Sequence, residues 1–206
     1  MQILDISLTI TEDVPHYPGK VSPQREIIMD MEKGHIANCS AIYLDCHVGT
    51  HIDSPRHFTR DGITIDGVDM GRLCGPCRVI EIRDRREILP EDLADAPENG
   101  RILFKTCGSA LLAAGDDDPT KYAYLIPETA ERLVALQTLL VGIDGFSVDR
   151  YGTKEPAHHI LLPAGIPILE CINLSEAEAG DYELIALPLK IGGSEAAPAR
   201  AILRRP

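Results

Sequence analysis

Apolar and polar residues alternate along residues 3–10 (Ile-Leu-Asp-Ile-Ser-Leu-Thr-Ile), the period-two pattern of a half-buried strand. Pro15-His16-Tyr17-Pro18-Gly19 follows as a loop whose prolines restrict the backbone. Residues 40–53 resume a β-type pattern, and Gly, Asp and Met over 62–73 predict a loop with a short helix. Strands are predicted at 77–82 and 101–106. Between them, Leu89-Pro90-Glu91-Asp92-Leu93 begins a short helix, with proline and acids in its first turn. Gly115 to Pro119 reads as a loop, its acidic triplet a solvated surface. A helix runs from Pro127 to about Gln137, with Ala130, Leu133 and Val134 on one face and Leu136 and Leu139 widening it. Further strands are predicted at 139–144, 166–170, 182–189 and 199–203. No repeat, linker or low-complexity block interrupts this order. The pattern predicts one α/β domain over residues 1–206, rich in strands and poor in helices, and leaves the strand order open.

One segment carries chemistry. His47-Val48-Gly49-Thr50-His51-Ile52-Asp53-Ser54-Pro55-Arg56-His57 holds three of the seven histidines within eleven residues. Gly49, Thr50 and Pro55 argue against a helix, so a helical His-Glu-x-x-His reading fails. Read with period two, Ile42, Leu44, Cys46, Val48 and Ile52 share an apolar face. His47, Gly49, His51, Asp53 and His57 share the other, with the glycine leaving space between the rings. Imidazoles and a carboxylate converging from one face are ligands for a divalent transition metal. The plainer alternative is a polar strand face open to solvent. A second cluster, Pro156-Ala157-His158-His159, precedes the strand that ends at Glu170. His158 or His159 with Glu170 would extend a metal site, since a carboxylate can bridge two ions. The competing reading is one buried and one exposed ring.

Composition narrows the classes. The 206 residues carry 20 Lys and Arg against 32 Asp and Glu, a formal charge of −12. That argues against nucleic acid and against an anionic membrane surface as partners. No apolar run approaches the ~20 residues that span a bilayer. The first residues lack the basic start and apolar core of a signal peptide, so the protein is expected in the cytoplasm. There the six cysteines read as reduced, mostly buried thiols. Cys46 and Cys171 neighbour candidate ligands and, by strand alternation, should face the core without ligating. Cys74-Gly75-Pro76-Cys77 has no partner pair and reads as structural. Ser109 lacks a nucleophile elbow. His16 and His35 read as loop residues, with His16 beside Tyr17.

The run from His47 to His57 has the form His-x-Gly-Thr-His-x-Asp-x-Pro-x-His. It resembles the signature of the cyclase-like metal-dependent hydrolases, which include bacterial kynurenine formamidases (arylformamidases) and isatin hydrolases. The likeness extends from Asp5-Ile6-Ser7 and Tyr17-Pro18-Gly19 through Gly75 to Ile80 and Ile143-Asp144. It continues through Ser147-Val148-Asp149, His158, Ile168-Leu169-Glu170 and Tyr182 to Lys190. The resemblance implies a swivelling β/β/α fold and a homo-oligomer, a homodimer or homotetramer. It implies two Zn2+ per subunit, with Mn2+ as the other candidate. His47 and His51 would bind one metal, Asp53 would bridge to the second, His158 would bind the second, and Glu170 would be shared. His57 would be the proton donor and acceptor.

The implied reaction is hydrolysis of a small-molecule amide, N-formylkynurenine, to kynurenine and formate by hydroxide activated at the metals. The alternatives are ring opening of isatin or another cyclic amide or lactone, or a structural or regulatory metal protein without turnover. A free His57 beside the ligands speaks against the last. Two positions depart from the family pattern. Tyr17 stands where the formamidases carry Trp in the substrate pocket, and residues 194–200 stand where many relatives read Asp-Gly-Ala-Pro. The second difference is expected to alter the local loop and leave the metal site alone.

Overall fold

The computed structural model describes residues 2–205. Strands β1 (Ile3–Asp5), β2 (Gln24–Met29), β3 (Cys39–Tyr43) and β4 (His51–Asp53) precede helix α1 (Met70–Leu73). Then come β5 (Cys74–Glu81), β6 (Glu87–Ile88), β7 (Arg101–Lys105), α2 (Gly108–Ala113), β8 (Tyr124–Leu125), α3 (Pro127–Ala135) and β9 (Leu140–Ile143). Helix α4 (Pro156–Leu161) leads to β10 (Ile168–Glu170), β11 (Gly180–Pro188) and β12 (Ala196–Arg204).

The main sheet closes on itself. Its order is β1-β12-β11-β5-β7-β9-β10-β4, and β4 also pairs with β12. Seven strands therefore form a ring, with β1 alongside β12. The long β12 makes this possible by using one edge twice. Ala196 to Pro198 pair with β4, and Ile202 to Arg204 pair with β1. The neighbouring strands β5, β7, β9 and β10 run parallel to one another, and the remaining pairings are antiparallel.

Alternation along these strands makes two cores. Ile52, Val79, Leu103, Leu169, Leu184 and Leu203 pack together inside the ring. Ile102, Phe104, Val141, Ile143 and Ile168 point the other way and pack under α3 and α4 through Leu133, Ala157 and Leu161. The α/β class and most of the strands follow the sequence expectation. No helix among the described residues is long and apolar enough to cross a membrane.

Three expectations are corrected. Residues 40–53 are not one strand, because β3 ends at Tyr43 and β4 begins only at His51. Between them Asp45 accepts the His47 and Val48 amides (2.9 and 3.3 Å), and Gly49 turns with φ +58°. The glycine serves that left-handed turn rather than making room between rings. Ile42 is accordingly 64% exposed and not in the core. The first strand is short, ending at Asp5, with an isolated bridge from Ser7 to Ile172. Of the six free cysteines only Cys77 and Cys171 are buried. The hairpin of β2 and β3, the helix α2 and the helix α4 were not foreseen.

A buried polar knot ties α2 to the end of β9. Asp144 accepts from the Thr106 amide (2.9 Å) and hydroxyl (2.6 Å) and from the Ser109 amide (3.0 Å) and hydroxyl (2.7 Å). Ser109 in turn accepts the Leu174 amide at 2.8 Å, so its oxygen is committed to structure. A Cβ on Gly108 would lie 1.8 Å from the Asp144 carbonyl oxygen. Gly108→Ala should cost about 3 kcal/mol or more, read as a lower denaturant midpoint. Gly192→Ala, where a Cβ meets nothing within 4 Å, should stay within about 0.5 kcal/mol.

Candidate active site

The site forms at the seam where β4 closes the ring. Within β4 alternation holds: Ile52 faces the inner core, and His51 and Asp53 face out beneath α4. On the facing strand, Glu170 is the cross-strand partner of His51. Thr50 locks the approach, donating to the Cys171 carbonyl at 2.6 Å and accepting the Leu8 amide at 2.9 Å. His47 comes from the turn before β4, and His57 from the single 3-10 turn Pro55–His57 after it. His158 comes from α4.

Each ring is aimed by a second contact. His51 Nδ1 donates to the Gly49 carbonyl at 2.8 Å, which turns Nε2 inward. His158 Nδ1 donates to Asp149 Oδ2 at 2.6 Å. The same carboxylate accepts the Ala157 amide (2.7 Å) and the His158 amide (3.1 Å), so it also holds the start of α4. Glu170 Oε1 accepts the Val148 amide at 2.8 Å.

The inward atoms form two matching sets. His51 Nε2 lies 3.5 Å from Asp53 Oδ1 and 3.4 Å from Glu170 Oε2. His158 Nε2 lies 3.4 Å from Asp53 Oδ2 and 3.5 Å from Glu170 Oε1. Each carboxylate thus sends one oxygen to each histidine. His47 Nδ1 stands 2.9 Å from Asp53 Oδ1, and His57 Nε2 stands 3.9 Å from Asp53 Oδ2.

These donors fit a divalent ion. His51 Nε2 and both Asp53 oxygens are buried without a hydrogen-bond partner. Leaving such atoms bare is costly, so they call for a ligand. The 3.4–3.5 Å spacing is too long for strong hydrogen bonds. It matches the ~3.4 Å edge of a tetrahedron with ~2.1 Å bonds to nitrogen and oxygen. The groups His51-Asp53-Glu170 and His47-Asp53-His57 each bring their donor atoms within 4.8 Å of one another.

The local field says the same. Burial opposes ionisation of Asp53, but the histidines facing it, His158 and His47 foremost, hold its carboxyl well below the usual range. Burial also opposes charge on His158, yet Asp149 and Asp53 push the ring up to about 10. Burial opposes charge on His51 as well, and the Cys171 thiol, Glu170 and Asp53 outweigh it. His57 is the exception. Burial, reinforced by the nearby His47 and His158, lowers it to about 4 against the pull of Asp53, which leaves a neutral ring near pH 7.

All seven residues expected from the sequence line one cleft of about 120 Å3. Tyr17 forms its outer wall, with its ring 5.7 Å from that of Tyr151. The histidine pair resolves cleanly: His158 is buried in the site and His159 is exposed. Several neighbours were not foreseen. Phe58 stacks on His158 with centroids 4.9 Å apart, and Phe146, Lys20 and Glu155 complete the lining. Asp149 sits nine residues before His158, a separation that only the loop into α4 makes meaningful.

The two cysteines beside candidate ligands divide. Cys171, with φ +55°, does lie buried in a small core cluster with Leu112, Tyr122 and Phe146, as expected, and it also borders His51. Cys46 is half-buried, 3.4 Å from the Ser194 hydroxyl, and does not face the core. The divergent loop at 194–200 also reaches the site, since Glu195 Oε1 lies 3.4 Å from His47 Nε2.

Comparison with known proteins agrees with this geometry. The cyclase family model matches residues 4–150. The chain belongs to the cyclase family. This family member is 38% identical to the kynurenine formamidase of Delftia acidovorans, over 98% of this chain and 97% of that protein. Among solved structures it resembles one described as a potential metal-dependent hydrolase with cyclase activity. That match has a TM-score of 0.86 and 32% identity, and covers 100% of this chain and 99% of the other. It also resembles isatin hydrolase A of Labrenzia aggregata, with a TM-score of 0.85 and 25% identity over 98% of this chain and 93% of that one.

Removing the charge that aims His158 should loosen the site without emptying it. Asp149→Asn is expected to weaken divalent-metal binding about 10–100-fold, measured by competition with a chromophoric chelator. An unchanged affinity would mean that α4 alone orients the ring.

Proposed function

We propose that this cyclase-family protein is a metal-dependent amide hydrolase that cleaves N-formylkynurenine to kynurenine and formate. The observation that carries the reading is the division of Asp53 and Glu170 between two inward histidine nitrogens. The 38% identity to a kynurenine formamidase along nearly the full chain supports the substrate. In this reading His47, His51, Asp53 and Glu170 would hold one divalent ion, and Asp53, Glu170 and His158 would hold a second. Zn2+ suits this nitrogen and oxygen set, with Mn2+ as the alternative.

Divalent ions, when bound there, lower the pKa of water toward neutrality and polarise the formyl carbonyl. His57 is neutral and partly exposed, and its Nε2 lies on the open side of the carboxylate. It takes the proton of the attacking water and returns it to the leaving aryl nitrogen. One water is consumed, the formyl C–N bond breaks, and formate and the arylamine leave. Tyr17, Phe58 and Phe146 supply an aromatic wall for the ring.

A homodimer or homotetramer is part of the same proposal. The β2–β3 hairpin stands apart from the main sheet. It leaves Ile27, Ile28, Ile42 and Tyr43 more than half exposed (53–64%). A lone two-stranded hairpin with apolar faces is marginal in water and is stabilised by a cover.

Chelation should abolish formate release, and added Zn2+ or Mn2+ should restore it. His57→Ala should lower kcat about 10^2–10^4-fold with metal content unchanged by elemental analysis. Loss of metal in that variant would make His57 a ligand instead. Faster opening of isatin than release of formate would move the substrate to the cyclic amides. Light scattering should give at least twice the 22.5 kDa chain mass, and Ile42→Glu should lower it toward one chain.

A further inference from the structure

The cleft carries two charges that the chemistry above does not use. Lys20 and Glu155 line it together with Tyr17 and His57. They arrive from different elements. Lys20 ends the turn closed by its amide on the Tyr17 carbonyl (3.2 Å), and Glu155 is the residue that caps α4. Both are half-buried. Neither side chain makes a hydrogen bond or ion pair with another described residue, whereas charges elsewhere pair readily, as in Arg78 with Asp181 and Lys121 with Asp116. Among the lining residues Lys20 is the sole ammonium or guanidinium, in a chain of formal charge −12.

Burial first, and then the Glu155 carboxylate that lines the same cleft, raise the pKa of the Tyr17 hydroxyl. Lys20 enters the cleft lining from the turn after Tyr17, and Glu155 from the start of α4. Glu155 is also held at φ +54°, a left-handed conformation that side chains rarely adopt and that is enriched where a residue is positioned for function.

We infer that Lys20 and Glu155 recognise a zwitterionic α-amino-acid headgroup, Lys20 taking the carboxylate and Glu155 the ammonium. The inference rests on the formamidase reading and sharpens it. Two unpaired, half-desolvated charges of opposite sign complement a net-neutral zwitterion. A ligand with only one of the two charges leaves the other side chain unmet, and a neutral cyclic amide such as isatin meets neither. The pair therefore selects among substrates that the metal centre alone would treat alike.

The test compares N-formylkynurenine with its des-amino analogue, its decarboxy analogue and formanilide, which lacks the whole headgroup. In the wild-type metal-loaded enzyme, removing either charged group should lower kcat/KM roughly 10–100-fold. In Glu155→Gln the penalty for losing the amino group should largely vanish, while the penalty for losing the carboxylate persists. In Lys20→Met the pattern should reverse. This crossed loss of discrimination is something a merely structural role would not produce. The inference is overturned if each variant lowers all four substrates by one factor, or if both variants keep both penalties. Equal wild-type rates on N-formylkynurenine and formanilide would also overturn it and leave the formamidase reading intact. Absence of formate from all four substrates would remove that reading and the headgroup inference together.

Discussion

Two carboxylates buried at the seam of a closed barrel set the terms for the rest of this molecule. Asp53 and Glu170 lie on facing strands, β4 and β10, and the pairing of β4 with β12 shuts the ring beside them. Water that would otherwise solvate them is excluded. Anionic oxygens in such a place must be met by positive charge, or folding would carry a large desolvation cost. Protons on the surrounding imidazoles meet part of that need, as the raised His51 and His158 show. A bound divalent cation, as proposed, would meet it better than protons on imidazole do.

The fold spends its irregular features on holding these groups still. The Asp45–Gly49 turn delivers His47 and leaves the Gly49 carbonyl to orient His51. Asp149 caps α4 and fixes the His158 tautomer with the same carboxylate. Val148 pins Glu170 from the loop after β9. Strands β4, β7, β9 and β10, buried on both faces, provide the rigid frame and carry His51, Asp53 and Glu170, and the turns beside β4 bring in His47 and His57. His57, outside the matched sets and kept neutral by burial, is the ring to which the proposed mechanism gives the proton transfer.

Much of this was legible in the residues themselves. The spacing from His47 to His57 marks a metal site without any structure, because three imidazoles and a carboxylate in that density have few other uses. The period-two explanation of that spacing was wrong except across His51-Ile52-Asp53. A turn at Asp45 and a left-handed Gly49 bring His47 into place, and a 3-10 turn does so for His57. Alternation misplaced Cys46 for the same reason, since it lies in the turn before β4 and is only half-buried. β3 falls inside the predicted 40–53 stretch, but β2 and its pairing were missed because its apolar residues are exposed and follow no core period. Asp149, Lys20 and Glu155 carry no local signal. Their meaning comes from loops that converge only in three dimensions.

The account stands on a paired-ion centre around Asp53. The most direct measurement is anomalous X-ray diffraction from crystals of the zinc-loaded protein, with data on either side of the zinc edge. The account predicts two anomalous peaks flanking the Asp53 carboxylate, one on the His51 side and one on the His158 side, both in contact with Glu170. A single peak, or peaks that leave Asp53 and Glu170 without a shared role, would contradict it.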